Sequence, residues 1–368
     1  MRSFIFYCTF SLLTTSFLLA QQNSQELCSP DGAYEFVLNT NGDLNYSVKY
    51  QEAIIVDNSR MGFLFDADKE IDKIFRIKNT GNKKVESSWR PVYGEKREYP
   101  DVYNEVLIEL EQVDSKDPDF NVRVRAYNEG IAFRYEFPEN GRKVKINNEI
   151  TEFALSTETM VWASTRAQSK IVKMPISQIY EAVERPLLVE LPNKYFVAIG
   201  EAGLIDFARM KFVLKKDESS TLTSKLSSKV AFNTSFVTPW RFIMVSKKPG
   251  TLIENNYLLL NLNEPNKIDD TSWIKPGKVI REVTLTTRGG VACVDFAVKH
   301  NLQFVEFDAG WYGDEHDNAS DATTVSVDPR RSKGLLELHK VIQYAKSKEI
   351  GVILYVNRRS LERQLDEV

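Results

Sequence analysis

Residues 303–313, QFVEFDAGWYG, bring together side chains that suit recognition of a polyhydroxylated ligand. Phe304–Phe307 is predicted as a short buried strand. An acid (Asp308), a glycine hinge (Gly310) and two aromatics (Trp311, Tyr312) follow it directly. In a parallel α/β fold, ligands bind at the carboxyl ends of strands, so an acid beside an aromatic platform there suggests a sugar site. Asp308 would accept hydrogen bonds from hydroxyls, and Trp311 would offer an apolar face. The structural alternative is that Asp308 fixes the start of the loop while Trp311 packs in the core. Asn357 and Arg358, just past a later strand, are further candidates for contacts at the same end.

The elements that must position these residues are legible around them. Residues 271–278, TSWIKPGK, form a Pro/Gly connection. An apolar strand at 279–286 follows, then Gly289 and Gly290, then a helix with apolar period at Val291, Val294, Phe296 and Ala297. After the strand at 304–307 come a long polar loop at 308–333, a helix at 335–348 and a third strand at 351–356. This βαβαβ alternation predicts the opening of a parallel α/β domain, most simply the first three βα units of a (β/α)8 TIM-type barrel truncated at the C-terminus. Three strands do not close a barrel, and they leave an apolar edge with unpaired backbone groups.

Upstream, the chain reads as β throughout. Alternating runs at 34–39, 44–50, 106–112, 120–127, 131–137, 194–199, 228–233 and 241–246 are separated by turn residues such as Pro30-Asp31-Gly32 and Asn41-Gly42. Asn128-Glu129-Gly130 between two alternating runs predicts a hairpin. No helical period stands out, so many short strands spaced by turns point to a large all-β sandwich. The expected division is a signal peptide at 1–20, the β-domain at 21–268 and the partial barrel at 269–368.

The first twenty residues carry one basic residue, Arg2, and an apolar run ending at Ala20 before QQNS. Such a block is a secretory signal peptide, too short for a membrane span. A lipoprotein anchor would need a cysteine at the cut, and Cys8 lies too early and Cys28 too late. Cys28 and Cys293 imply no disulfide framework; Cys293 is expected as a buried free thiol. A net charge of −3 with interspersed signs leaves no basic footprint for nucleic acid and no polybasic membrane patch. His300, His316 and His339 have no metal-ligand spacing. Asp314, Glu315, Asp317 and Asp321 form an acidic loop that could hold an ion and whose simpler reading is a solvated loop, and Arg330-Arg331 is expected to cap the loop. Gly289-Gly290 lacks the spaced glycines of a dinucleotide site and is read as a βα turn.

WIKPGK, CVDFA, FVEFDAGWYG and GVILYVN, in that order from Trp273 to Asn357, resemble the first part of the catalytic domain of glycoside hydrolase family 97. SPDGAYEF, VERPLLVEL and GEAGLIDFARM, between Ser29 and Met210, resemble that family's N-terminal β-domain. The resemblance implies a secreted, periplasmic, exo-acting α-glycosidase of α-glucosidase or α-galactosidase type, with a β-super-sandwich beside a (β/α)8 barrel. Its substrate would be an oligosaccharide or a polysaccharide-derived sugar. It also implies calcium held by glutamates from both domains, for which Glu184 of VERP is the better match and Glu201 of GEAGL the second. The family's catalytic carboxyl groups come from later barrel strands, so no catalytic residue is assigned within this chain. A carbohydrate-binding or vestigial, inactive β-domain protein is the competing reading. Glucose or galactose specificity, stereochemical course and oligomeric state are not legible in these residues.

Export tests the leader. Protein secreted by a Gram-negative host should begin at Gln21 by intact mass, and retention of Met1 in the exported product would refute the signal peptide.

Overall fold

The computed structural model describes residues 23–65, 74–113, 117–139, 141, 143–233 and 235–368. The expected signal peptide lies outside the described residues, as does Asn140, where the sequence Glu139-Asn140-Gly141 predicts a turn. Two compact units divide the chain, one ending at Lys267 and the other running from Ile268 to Val368.

The first unit is mostly β. A four-stranded antiparallel sheet follows chain order through Ser24–Cys28, Tyr34–Asn39, Asn45–Tyr50 and Ala53–Arg60. A ten-stranded sheet runs from Val172–Pro175 through Met160–Ala163, Leu187–Glu190, Phe196–Ala202, Trp240–Ser246, Ile131–Phe137, Asn121–Tyr127 and Tyr99–Val113 to Ile74–Trp89, with Phe236–Val237 beside Ile131–Phe137. Strict alternation puts Tyr34, Phe36 and Leu38 on one face of their strand, all buried. They meet the larger sheet, where the Phe133 ring lies 4.9 Å from Tyr46 and 6.0 Å from Phe36.

The predicted hairpin forms with Ala126 opposite Ile131. Gly130 in its turn is required by close approach: a Cβ there would lie 2.7 Å from the Ile243 carbonyl oxygen. Ile74–Trp89 pairs with Tyr99–Val113 along its whole length yet was not legible as a strand, because most of its side chains are polar and exposed. Two short helices, Pro249–Glu254 and Tyr257–Asn261, also interrupt the expected all-β pattern. Each is too short to show a helical period, and they bury Leu252, Tyr257 and Leu258.

A guanidinium sits inside this unit. Arg241 on Trp240–Ser246 is wholly buried and pairs with Glu149, also wholly buried, with Nε donating to Oε1 at 2.8 Å. Its Nη1 donates to Glu201 Oε2 on the neighbouring strand at 3.1 Å.

In the second unit, Val279–Glu282, Phe304–Phe307 and Gly351–Leu354 form a parallel sheet, with Val279, Phe304 and Gly351 abreast. Helices Thr287–Lys299 and Leu338–Ser347 pack on the sheet and on each other, joining Val294, Ala297, Val341 and Ala345 to Val305 and Phe307 in one core. Arg281 and Glu306 lie abreast on the opposite face. The glycine pair lies in the first turn of the helix rather than in a turn before it. A Cβ on Gly290 would reach Val341 Cγ1 at 2.8 Å, so this glycine lets the two helices approach closely.

Removing a partner from a buried ion pair costs about 3–5 kcal/mol, because the remaining charge keeps no counterion. Arg241→Leu should therefore lower the melting temperature of the first unit by roughly 10 °C. Arg241→Leu with Glu149→Leu should recover much of that loss. Calorimetric melts decide it, and an unchanged transition in the single variant would sink the argument.

Candidate functional site

The parallel register brings the carboxyl ends of three strands to one edge, where Asp308 and Asn357 lie. Asp308 directly follows Phe304–Phe307, and Arg281 Nη1 donates to its Oδ2 at 2.6 Å. Its side chain is partly open. The chain then turns through Gly310 at φ +103°, where a Cβ would meet Leu285 Cδ1 at 2.9 Å.

Trp311 departs from the expected platform. It is only 4% exposed, its indole N–H donates to the Tyr355 carbonyl at 2.8 Å, and its ring meets Tyr312 edge-on. The aromatic pair belongs to the core beneath the strand ends, because a buried indole N–H needs a partner and a backbone carbonyl supplies one. Of the two candidates, Asp308 alone faces outward.

The long loop is tied down by its own acids. Asp314, Asp317 and Asp321 each accept from a backbone N–H two residues on, those of His316, Ala319 and Thr323. Asp314 is held below the usual carboxylate range by the His316 N–H and then by Arg330. Arg330 also binds Asp328, so it closes the loop on itself as expected. Asp321 accepts from Gln364 Nε2 at 2.6 Å, fixing the loop to the helix Arg358–Gln364. These acids are turn-formers, not a freely solvated patch.

Glu315 behaves differently. Its Oε2 accepts from Tyr355 Oη and from Asn357 Nδ2, both at 3.1 Å. Burial and then this bond to a carboxylate raise the Tyr355 hydroxyl above its usual range. Asn357 also caps the last helix, its Oδ1 accepting from Arg359 N at 3.0 Å. Glu315 carried no linear signal, since it stands among turn-forming acids; Tyr355 fell inside the strand expected at 351–356, which ends at Leu354. His300 ends a helix and stacks on Phe296, while Cys28 and Cys293 are free thiols.

Glu184 and Glu201 lie in the first unit, at the outer end of the network that begins at Arg241. Arg185 Nε donates to Glu201 Oε1 at 2.5 Å, and Arg185 Nη1 to Glu184 Oε2 at 3.0 Å. Arg209 Nη1 lies 3.1 Å from the same Glu184 oxygen, and Lys211 Nζ lies 2.8 Å from the other. Burial opposes the Glu184 charge, but Lys211, Arg209 and Arg185 together hold the carboxyl below its usual range. Calcium takes six to eight oxygen ligands. Among the described residues no group of three His, Cys, Asp or Glu is placed to hold a metal, and three cations already neutralise Glu184. These residues do not by themselves fit a calcium ion.

Comparison with known proteins agrees with this architecture. The chain is 22% identical to a retaining alpha-galactosidase of Bacteroides thetaiotaomicron over 98% of its own length and 60% of that protein's. A probable retaining alpha-galactosidase of Streptomyces bingchenggensis is 23% identical over 66% of this chain and 38% of its own length. Among solved structures, a glycoside hydrolase family 97 enzyme of Pseudoalteromonas sp. strain K8 in complex with panose superposes with a TM-score of 0.79 at 25% identity. That match covers 89% of this chain and 53% of the enzyme. The match thus spans between 38% and 60% of the length of these relatives. The family profile "Glycosyl-hydrolase 97 N-terminal" matches residues 27–265, and the chain belongs to glycoside hydrolase family 97.

Proposed function

We propose that this chain is the β-super-sandwich and the first three βα units of the catalytic barrel of an exo-acting α-glycosidase, secreted to the periplasm. Its substrates would be α-galactosides or α-glucosides released from oligosaccharides or polysaccharides. One observation carries the reading. The family match is followed by a parallel sheet whose carboxyl ends gather Asp308, Glu315, Tyr355 and Asn357, the hydrogen-bonding groups that a sugar needs. In this reading Asp308 contacts substrate hydroxyls, with Arg281 orienting its carboxylate. The relatives support the substrate class: one is described as a retaining alpha-galactosidase, and another was solved with panose.

Glycoside cleavage needs two carboxyl groups flanking the bond, one to protonate the leaving oxygen and one to act as nucleophile or to activate water. We assign neither role within this chain. Calcium belongs to the proposal only for the complete enzyme, where Glu184 would contribute at most one carboxylate.

A cleft of about 680 Å³ in the first unit favours the second reading, a carbohydrate-binding domain without its own chemistry. Arg134, Glu136, Asp206, Phe236 and Trp240 line it, with the Arg134 guanidinium 4.5 Å from the Trp240 ring.

Turnover separates the two. Purified residues 21–368 should not hydrolyse aryl α-galactosides or α-glucosides above background, with or without calcium, if the acid and the nucleophile come from later barrel strands. A protein extended to the length of the relatives should be active and should lose activity with a chelator. In it, Asp308→Asn should chiefly raise KM. Robust turnover by the 368-residue chain would show that Asp308 or Glu306 carries the chemistry. An inactive extended protein would leave the binding reading.

A further inference from the structure

A second carboxylate stands at the same end of the parallel sheet, with its two oxygens in different surroundings. Glu315 comes from the loop after Phe304–Phe307, whereas Tyr355 and Asn357 follow Gly351–Leu354. Tyr355 Oη and Asn357 Nδ2 both donate to Oε2 at 3.1 Å and touch each other at 3.3 Å, which closes a triangle of two neutral groups on one carboxylate oxygen. Asn357 is itself fixed, its backbone N–H donating to Tyr312 Oη at 2.9 Å beneath the site. The end of one strand therefore braces one oxygen of a carboxylate carried by the loop after its neighbour.

Oε1 faces two side-chain nitrogens without bonding to either. Arg331 Nη1 and His316 Nε2 each lie 4.0 Å away, beyond hydrogen-bond reach. A single hydroxyl oxygen can stand about 2.7–2.9 Å from both an acceptor and a donor separated by that gap, giving its proton to one and accepting from the other. Glu315 is partly exposed, and Arg331 and His316 more so, so the gap is open to solvent. With the carboxylate set against Arg331, the spot carries no net charge of either sign. Neither a metal ion nor an anion is favoured there; a neutral polyol is.

We propose that Glu315 is a substrate-positioning residue, whose Oε1 accepts a hydrogen bond from a sugar hydroxyl that in turn accepts one from Arg331 or His316. The inference rests on the glycosidase reading and adds to it a named contact. Tyr355 and Asn357 act through Glu315 by holding its other oxygen.

Saturation-transfer NMR on the 368-residue chain tests it, with methyl α-galactopyranoside and methyl α-glucopyranoside as probes. Glu315→Gln should reduce transfer to the bound sugar by about ten-fold or more, the loss expected for one hydrogen bond to a charged group. Its melting curve should stay that of the parent chain, and Glu315→Asp should restore part of the signal. Arg331→Gln removes the other side of the gap without touching the braces and should give a similar loss; it decides the matter if Glu315→Gln unfolds. Transfer that survives in both Glu315→Gln and Arg331→Gln but disappears in Asp308→Asn would overturn the Glu315 assignment and leave the glycosidase reading standing. Absence of transfer from the parent chain to either sugar would overturn both.

Discussion

Parallel pairing without slip is the constraint on which the candidate site depends. Val279, Phe304 and Gly351 lie abreast, and each strand is four residues long, so all three strands end at one edge. Side chains separated by some forty residues then meet there, as Glu315 meets Tyr355 and Asn357. The helices Thr287–Lys299 and Leu338–Ser347 keep that register by burying Val305 and Phe307. A slip of one residue would turn Glu306 toward the helices and Phe307 away from them.

The two units treat their acids in contrasting ways. In the first, Glu149, Glu201 and Glu184 each meet permanent cations. Such paired groups are suited to holding sheets together. In the second, Glu315 is braced on one oxygen by neutral donors, while the other oxygen faces the Arg331 guanidinium without touching it. A carboxylate half-satisfied in this way keeps an acceptor for something else.

Much of this was legible in the linear chain, for physical reasons. Short apolar runs bounded by polar loops gave the strands around 304–307 and 351–354, and alternation gave most of the sandwich. Residue type could not say which way Trp311 turns, since an indole after a strand serves equally as a platform or as core; only the Tyr355 carbonyl decides. Glu315 was invisible because its role comes from partners 40 and 42 residues away. Ile74–Trp89 was missed because a strand exposed along most of its length has no need of an apolar pattern.

The charge ladder of the first unit also bears on how the protein meets salt. Mobile ions screen charges they can approach, over a Debye length of about 10 Å at 0.1 M, and act weakly on pairs sealed from solvent. Arg241 and Glu149 have no exposed side-chain surface and Glu201 has 3%, whereas Arg209 at the outer end is 41% exposed. Rising ionic strength therefore loosens the grip on Glu184 from outside while the inner rungs stay locked, so brine would retune the outermost carboxylate without softening the fold behind it.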